Sequence, residues 1–165
     1  MKDFINERWR PILAHNGLSD FGALWQLKAD WFEAPNHRRG GWSGVSRCEL
    51  ALPGGGSCAI FLKRQENHKA RLWTHPVRGA PTFLREFRHI QHYRACGVPT
   101  LEPVYFAMHK AGKDERAILV TEELTGFVSM ENRVRRWLKE GAPPRAMRLR
   151  MLKSVAALLR GLRIA

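Results

Sequence analysis

Apolar and polar residues alternate through much of the first two thirds of this chain, and recur at helical spacing in its last third. Residues 45–52 set Val45, Arg47, Glu49 and Ala51 opposite Ser46, Cys48, Leu50 and Leu52, the period of two that marks a strand. Pro53, three glycines and Ser57 form a turn signal. Residues 58–64 then form a second strand, with Cys58, Ile60 and Leu62 on one face and Ala59, Phe61 and Lys63 on the other. The two strands make a hairpin. Ahead of it, residues 1–35 read as one or two short helices followed by a strand near residues 29–33, and residues 37–44 read as a basic, glycine-rich turn.

Residues 65–80 look irregular and basic. Pro81 then opens a helix reaching about Ala95, ended by Gly97 and Pro99, with Phe83, Phe87, Ile90 and Tyr93 as its apolar stripe. Residues 102–109 and 117–122 read as two strands joined by a polar turn. Helices follow at 129–139 and 145–162, separated by a break at 141–144. In the second of them Met151, Val155, Leu158, Leu159 and Leu162 share one face. The order is β-loop-β-β-α-β-β and then helices, an α+β arrangement with no internal repeat.

Charge changes the picture. The 165 residues carry 28 Lys and Arg against 15 Asp and Glu, a net charge of +13, with much of the excess after Arg133. Such a field suits polyanions: nucleic acid, acidic lipid head groups or a phosphorylated glycan. It equally suits a solvated helix face. Cys48, Cys58 and Cys96 give no disulfide framework and no zinc spacing, and the seven histidines give no metal spacing either. The N-terminus lacks a signal-peptide pattern, and no apolar run approaches the ~20 residues that span a bilayer. A cytoplasmic protein is expected.

Three features bear on chemistry. Glycines at 40, 41 and 44, with Ser43 between them, would let backbone N–H groups approach phosphates; the alternative is a plain turn. Lys63 ends a strand, either solvated or aimed beneath that turn. Glu86 lies on or beside the apolar stripe of its helix, where a carboxylate is costly unless paired, and Lys63 is the available partner. In kinase folds such a pair orients the lysine on nucleotide phosphates. Glu122, Glu123 and Leu124 end an apolar strand where a kinase-like lobe would place its adenine-binding hinge.

Six runs carry a more specific resemblance. They are Trp31-Phe32-Glu33-Ala34-Pro35-Asn36, Arg38-Arg39-Gly40-Gly41-Trp42-Ser43-Gly44-Val45-Ser46, Phe61-Leu62-Lys63-Arg64-Gln65-Glu66-Asn67-His68, Arg85-Glu86-Phe87, Gly97-Val98-Pro99-Thr100 and Val120-Thr121-Glu122-Glu123-Leu124. From about Ala29 onward the chain resembles the lipopolysaccharide kinase family, the Kdo and heptose kinase group, and most of all its InaA-like branch. The resemblance implies a protein-kinase-like N-lobe, an antiparallel sheet plus one helix, over residues 29–125. It implies a helical extension at 1–28, and a hinge with the first helices of a truncated C-lobe at 126–165.

It further implies ATP, held by Gly40, Gly41, Ser43, Gly44, Lys63, Glu86, Glu122, Glu123 and Leu124, with magnesium only where a full C-lobe is supplied. The implied reaction is phosphorylation of an inner-core sugar hydroxyl of lipopolysaccharide, at the cytoplasmic side of the inner membrane. The acidic core would be the substrate, and the basic C-terminal third a peripheral membrane contact. Two departures stand out. Arg39 occupies the place of the first loop glycine, and Phe61 the place of a small alanine that shapes the adenine pocket.

Phosphoryl transfer also needs a carboxylate by the attacking hydroxyl and ligands for magnesium. The aspartates are Asp3, Asp20, Asp30 and Asp114; three precede the glycine turn and the fourth lies in a hairpin turn. The expectation is therefore a chain without catalytic residues or metal ligands of its own, inactive alone, whose last helix leaves an apolar face open to association. A non-catalytic ATP-binding or regulatory module is the alternative. A basic nucleic-acid binder is a further one, but the chain carries no recognised motif for it and no nucleic acid is expected.

Overall fold

The structure is a computed structural model and describes residues 2–38, 40–72 and 75–164. Two compact units emerge. The first comprises residues 1–91 and 101–123, the second residues 92–100 and 124–165.

The first unit is built on a six-stranded antiparallel sheet. Its strands are β1 (Phe4–Ile5), β2 (Trp31–Arg38), β3 (Gly41–Ala51), β4 (Ser57–Glu66), β7 (Pro103–Ala111) and β8 (Asp114–Glu122), in the order β1-β7-β8-β4-β3-β2. β4 lies at the centre, with Val45 of β3 and Leu119 of β8 flanking Lys63 in register. Alternation along β3 and β4 divides the side chains between two faces.

On one face, Cys48, Leu50, Ile60, Leu62, Ile118 and Val120 form a core with Trp9, Leu13, Leu18 and Leu24. Those last four belong to α1 (Arg10–His15), α2 (Phe21–Gln26) and the turns beside them, so the first 28 residues cover the sheet. On the other face, α3 (Thr82–Ala95) lays Phe83, Leu84, Phe87 and Ile90 onto Phe106 and Leu119. The stripe of phenylalanines and Ile90 therefore points where its spacing says it should.

Several elements differ from the sequence-based expectation. The strand near residues 29–33 runs on to Arg38, through Pro35. Pro35 is tolerated because β2 is an edge strand and the register shifts between Glu33 and Asn36. Within the stretch expected to be irregular, β5 (Lys69–Leu72) and β6 (His75–Pro81) pair as a small separate sheet. Their short length and broken register leave no alternation to detect. The two-residue β1 is also invisible to periodicity.

In the second unit, α3 ends in a Schellman motif. Gly97 takes a positive φ of 70°, its N–H donates to Arg94 O, and Val98 N–H donates to Tyr93 O. Two further helices follow, α4 (Met130–Glu140) and α5 (Arg145–Ile164), with the Ser129 hydroxyl capping α4 by accepting from Asn132 N–H. On α5, Met151 and Val155 are half-buried while Leu158 and Leu159 are exposed. The Leu162 side chain lies outside the described residues, as does Arg39. Among the described residues no helix is long and apolar enough to cross a membrane.

Candidate functional site

Lys63 projects from the centre of β4 on the face that α3 covers. Its Nζ forms an ion pair with the Glu86 carboxylate, the Lys63 side chain being 16% exposed and that of Glu86 35%. The pairing expected between strand and helix is present. Phe61 and Val45 share this face, and the Phe32 ring packs edge-on against Phe61 at 5.0 Å between centroids. An aromatic ring thus stands where a small residue was expected from the fold, and it is held there by a second ring.

The glycine-rich segment is arranged differently from the loop read at residues 37–44. Only Gly40, with φ of 78°, sits in the turn; Gly41, Ser43 and Gly44 are paired strand residues of β3. A β-carbon on Gly41 would lie 2.0 Å from Glu66 O, and one on Gly44 would lie 2.6 Å from the Trp31 ring. These two glycines therefore admit other parts of the same chain. Gly44 alternates with Val45, so its open side faces away from Lys63, whereas Ser43 shares the Lys63 face. Val45 is five residue steps beyond Gly40, about 16 Å along extended chain, so the turn does not lie directly over the ion pair.

The end of β8 also differs from expectation. Glu122 N–H donates to Glu102 O and Glu123 N–H donates to Ala59 O, so both donors are already taken within the chain. Their carboxylates are held as well, Glu122 by Arg8 and Glu123 by a two-pronged bond from Arg47. That guanidinium pushes the Glu123 carboxyl below the usual carboxylate range. Leu124 is exposed and belongs to the second unit.

A model of the lipopolysaccharide kinase (Kdo/WaaP) family matches residues 22–165. The chain is 33% identical over 140 residues to Protein InaA of Escherichia coli (strain K12), an alignment covering 83% of this chain and 60% of that protein. The chain belongs to the lipopolysaccharide kinase family. A solved structure, WaaP in complex with acyl carrier protein, shares the fold with a TM-score of 0.52 at 22% identity, over 88% of this chain and half of that one. The chain thus spans 60% of the first relative's length and 50% of the second's.

Within this family member, the run from Lys63 to His68 acts as a set of fasteners. Lys63 binds Glu86 of α3. Arg64, on the opposite face, donates to Trp25 O and Leu27 O and stacks on Trp31 at 5.1 Å; burial pushes its guanidinium below the usual arginine range. Gln65 is fully buried and accepts from Thr82 and Phe83 at the start of α3. Glu66 pairs with Arg116, and Asn67 binds Asp114 and Glu115 across the β7–β8 turn.

Sequence reasoning missed Gln65 and Arg47. Both act on partners far along the chain, and no local spacing announces them. Burial pushes the Cys48 and Cys58 thiols up, away from the reactive thiolate. Among the described residues no three His, Cys, Asp or Glu side chains converge to hold a metal ion.

Proposed function

We infer that the α3-covered face of the sheet holds the phosphates of ATP, in a protein of the lipopolysaccharide core kinase type whose reaction is phosphorylation of an inner-core Kdo or heptose hydroxyl. The ion pair between Lys63 and Glu86 carries this reading. It presents a largely buried ammonium, oriented by a carboxylate from a different element, as a phosphate clamp requires. Ser43 and the Gly40 turn extend the polar surface along β3. Phe61, Val45 and Phe32 supply an apolar surface suited to a purine. Adenine contacts would fall to carbonyl groups near Glu122 and Glu123, since the N–H groups of both glutamates donate elsewhere.

The aspartates hold other posts. Asp3 accepts from Tyr105, Asp20 caps α2, Asp114 binds Asn67, and Asp30 lies just ahead of β2. In this reading the residues of this chain provide the nucleotide cradle and not the catalytic carboxylate. Magnesium would arrive with the nucleotide. In this reading residues 29–125 are the N-lobe and the basic helices after residue 126 are C-lobe elements facing the acidic lipopolysaccharide core and inner membrane.

Calorimetric titration with ATP tests the proposal. Binding should be seen, and Lys63→Ala should weaken it by about 10- to 100-fold, the worth of a charge-assisted hydrogen bond. No transfer from labelled ATP to a lipopolysaccharide core acceptor should be detected with this polypeptide alone. Equal ATP affinity of the native and Lys63→Ala chains would sink the cradle; sustained transfer would sink the claim of inactivity.

A further inference from the structure

Gln65 follows Lys63 by two residues on β4, so both side chains lie on the face that α3 covers. Its amide is wholly buried. A buried amide left without partners is costly, and here both ends are engaged. Oε1 accepts from Thr82 Oγ1 at 2.8 Å and from Phe83 N–H at 3.0 Å, while Nε2 donates to His68 O at 2.7 Å. The same His68 carbonyl accepts from Thr82 N–H at 3.3 Å, and the His68 ring lies 3.3 Å from the Thr82 hydroxyl.

The opening N–H groups of a helix lack partners within it. Those of Thr82 and Phe83 are met from β4 and the residue pair just beyond it. Glu86 follows Phe83 by three residues, about 4.5 Å along the helix axis. Gln65 follows Lys63 by about 6.6 Å of strand. Two cross-links, one neutral and one ionic, therefore join the same short lengths of β4 and α3. Neither element can slide or swing past the other while the Gln65 bonds persist.

We propose that Gln65 is a positioning residue: its amide locks the first turn of α3 to β4 and so keeps Glu86 on Lys63 before any nucleotide arrives. A helix free to swing out would make the ion pair depend on ligand or partner. The Gln65 bonds would make it depend on neither. The significance of this lock for phosphate binding rests on the cradle reading above; the lock itself does not.

The test uses the full chain without nucleotide. Native protein, Glu86→Gln, Gln65→Met, Thr82→Val and Thr82→Ser are briefly treated with an amine-acylating ester, and modification of Lys63 is followed by mass spectrometry. Circular dichroism checks that each chain is folded. Lys63 should react slowly in the native chain and about tenfold faster in Glu86→Gln, the least that loss of a charged hydrogen bond implies. Gln65→Met should approach the fast rate; Thr82→Val, which keeps the Phe83 N–H bond to Gln65, should react at a rate between the two; and Thr82→Ser, which keeps the hydroxyl, should stay slow. Should Gln65→Met not fold, the Thr82 pair carries the comparison. Native rates in Gln65→Met and Thr82→Val, with Glu86→Gln fast, would overturn the proposal. Parallel ATP titrations separate the two readings: unmasked Lys63 in a chain that never binds ATP upholds the lock and removes the cradle, whereas ATP binding with Lys63 equally masked in all Gln65 and Thr82 variants does the reverse.

Discussion

The Trp31 indole rests against Gly44: a β-carbon at that position would approach the ring to 2.6 Å. The same indole stacks on Arg64 and meets Trp42 edge-on at 6.0 Å. A glycine whose spacing suggests phosphate contact thus serves to seat an aromatic side chain on the edge strand β2. Gly41 is more constrained, since its neighbours are the Glu66 carbonyl and the backbone of Asn67 and His68.

Replacing these glycines should therefore have unequal effects. In Gly44→Ala the half-exposed Trp31 can rotate away, at a cost of about 1 kcal/mol; in Gly41→Ala only backbone can move, at about 3 kcal/mol. Urea unfolding of the two variants measures both, and Trp fluorescence should shift in Gly44→Ala. A Gly41→Ala chain as stable as the native one would contradict the close approach.

Asn67 adopts a positive φ of 54°, unusual outside glycine, while its amide donates to Asp114 and accepts from Glu115 N–H. Asn67→Ala loses both bonds and keeps the strain, so a loss of about 2–3 kcal/mol is expected. Asn67→Gly loses the bonds alone and should be milder by about 1 kcal/mol. Denaturant midpoints of the pair separate conformation from hydrogen bonding. Equal losses would mean that the backbone conformation is not strained.

Tyr105 gives the fold a dependence on alkaline pH. Burial first, and then its hydrogen bond to Asp3, push the phenol well above its ordinary value of 10.0. In the unfolded chain the phenol releases its proton near 10.0, whereas the folded chain holds it. The associated stability is complete below that pH and declines as pH rises beyond it. Unfolding midpoints measured from neutral pH upward should fall more steeply for the native chain than for Tyr105→Phe. Parallel curves would show that the phenol is not protected.

The periodicity of the chain places strands on either side of the Pro53–Ser57 turn, the α3 helix, and the β7–β8 hairpin, because each is a local pattern of burial. It also singles out Lys63 and Glu86. A carboxylate beside an apolar helical stripe requires a cation, and the strand–helix order supplies one. The family follows from short runs of residues. What those runs do was decided by tertiary structure. Trp31 filling the space over Gly44, the Glu122 and Glu123 N–H groups bonded to Glu102 and Ala59, and Gln65 capping α3 all join residues from 13 to 64 positions apart. Local sequence fixes which side of an element is apolar. Which polar group meets which across the core depends on strand order and register, and those exist only once the chain has folded.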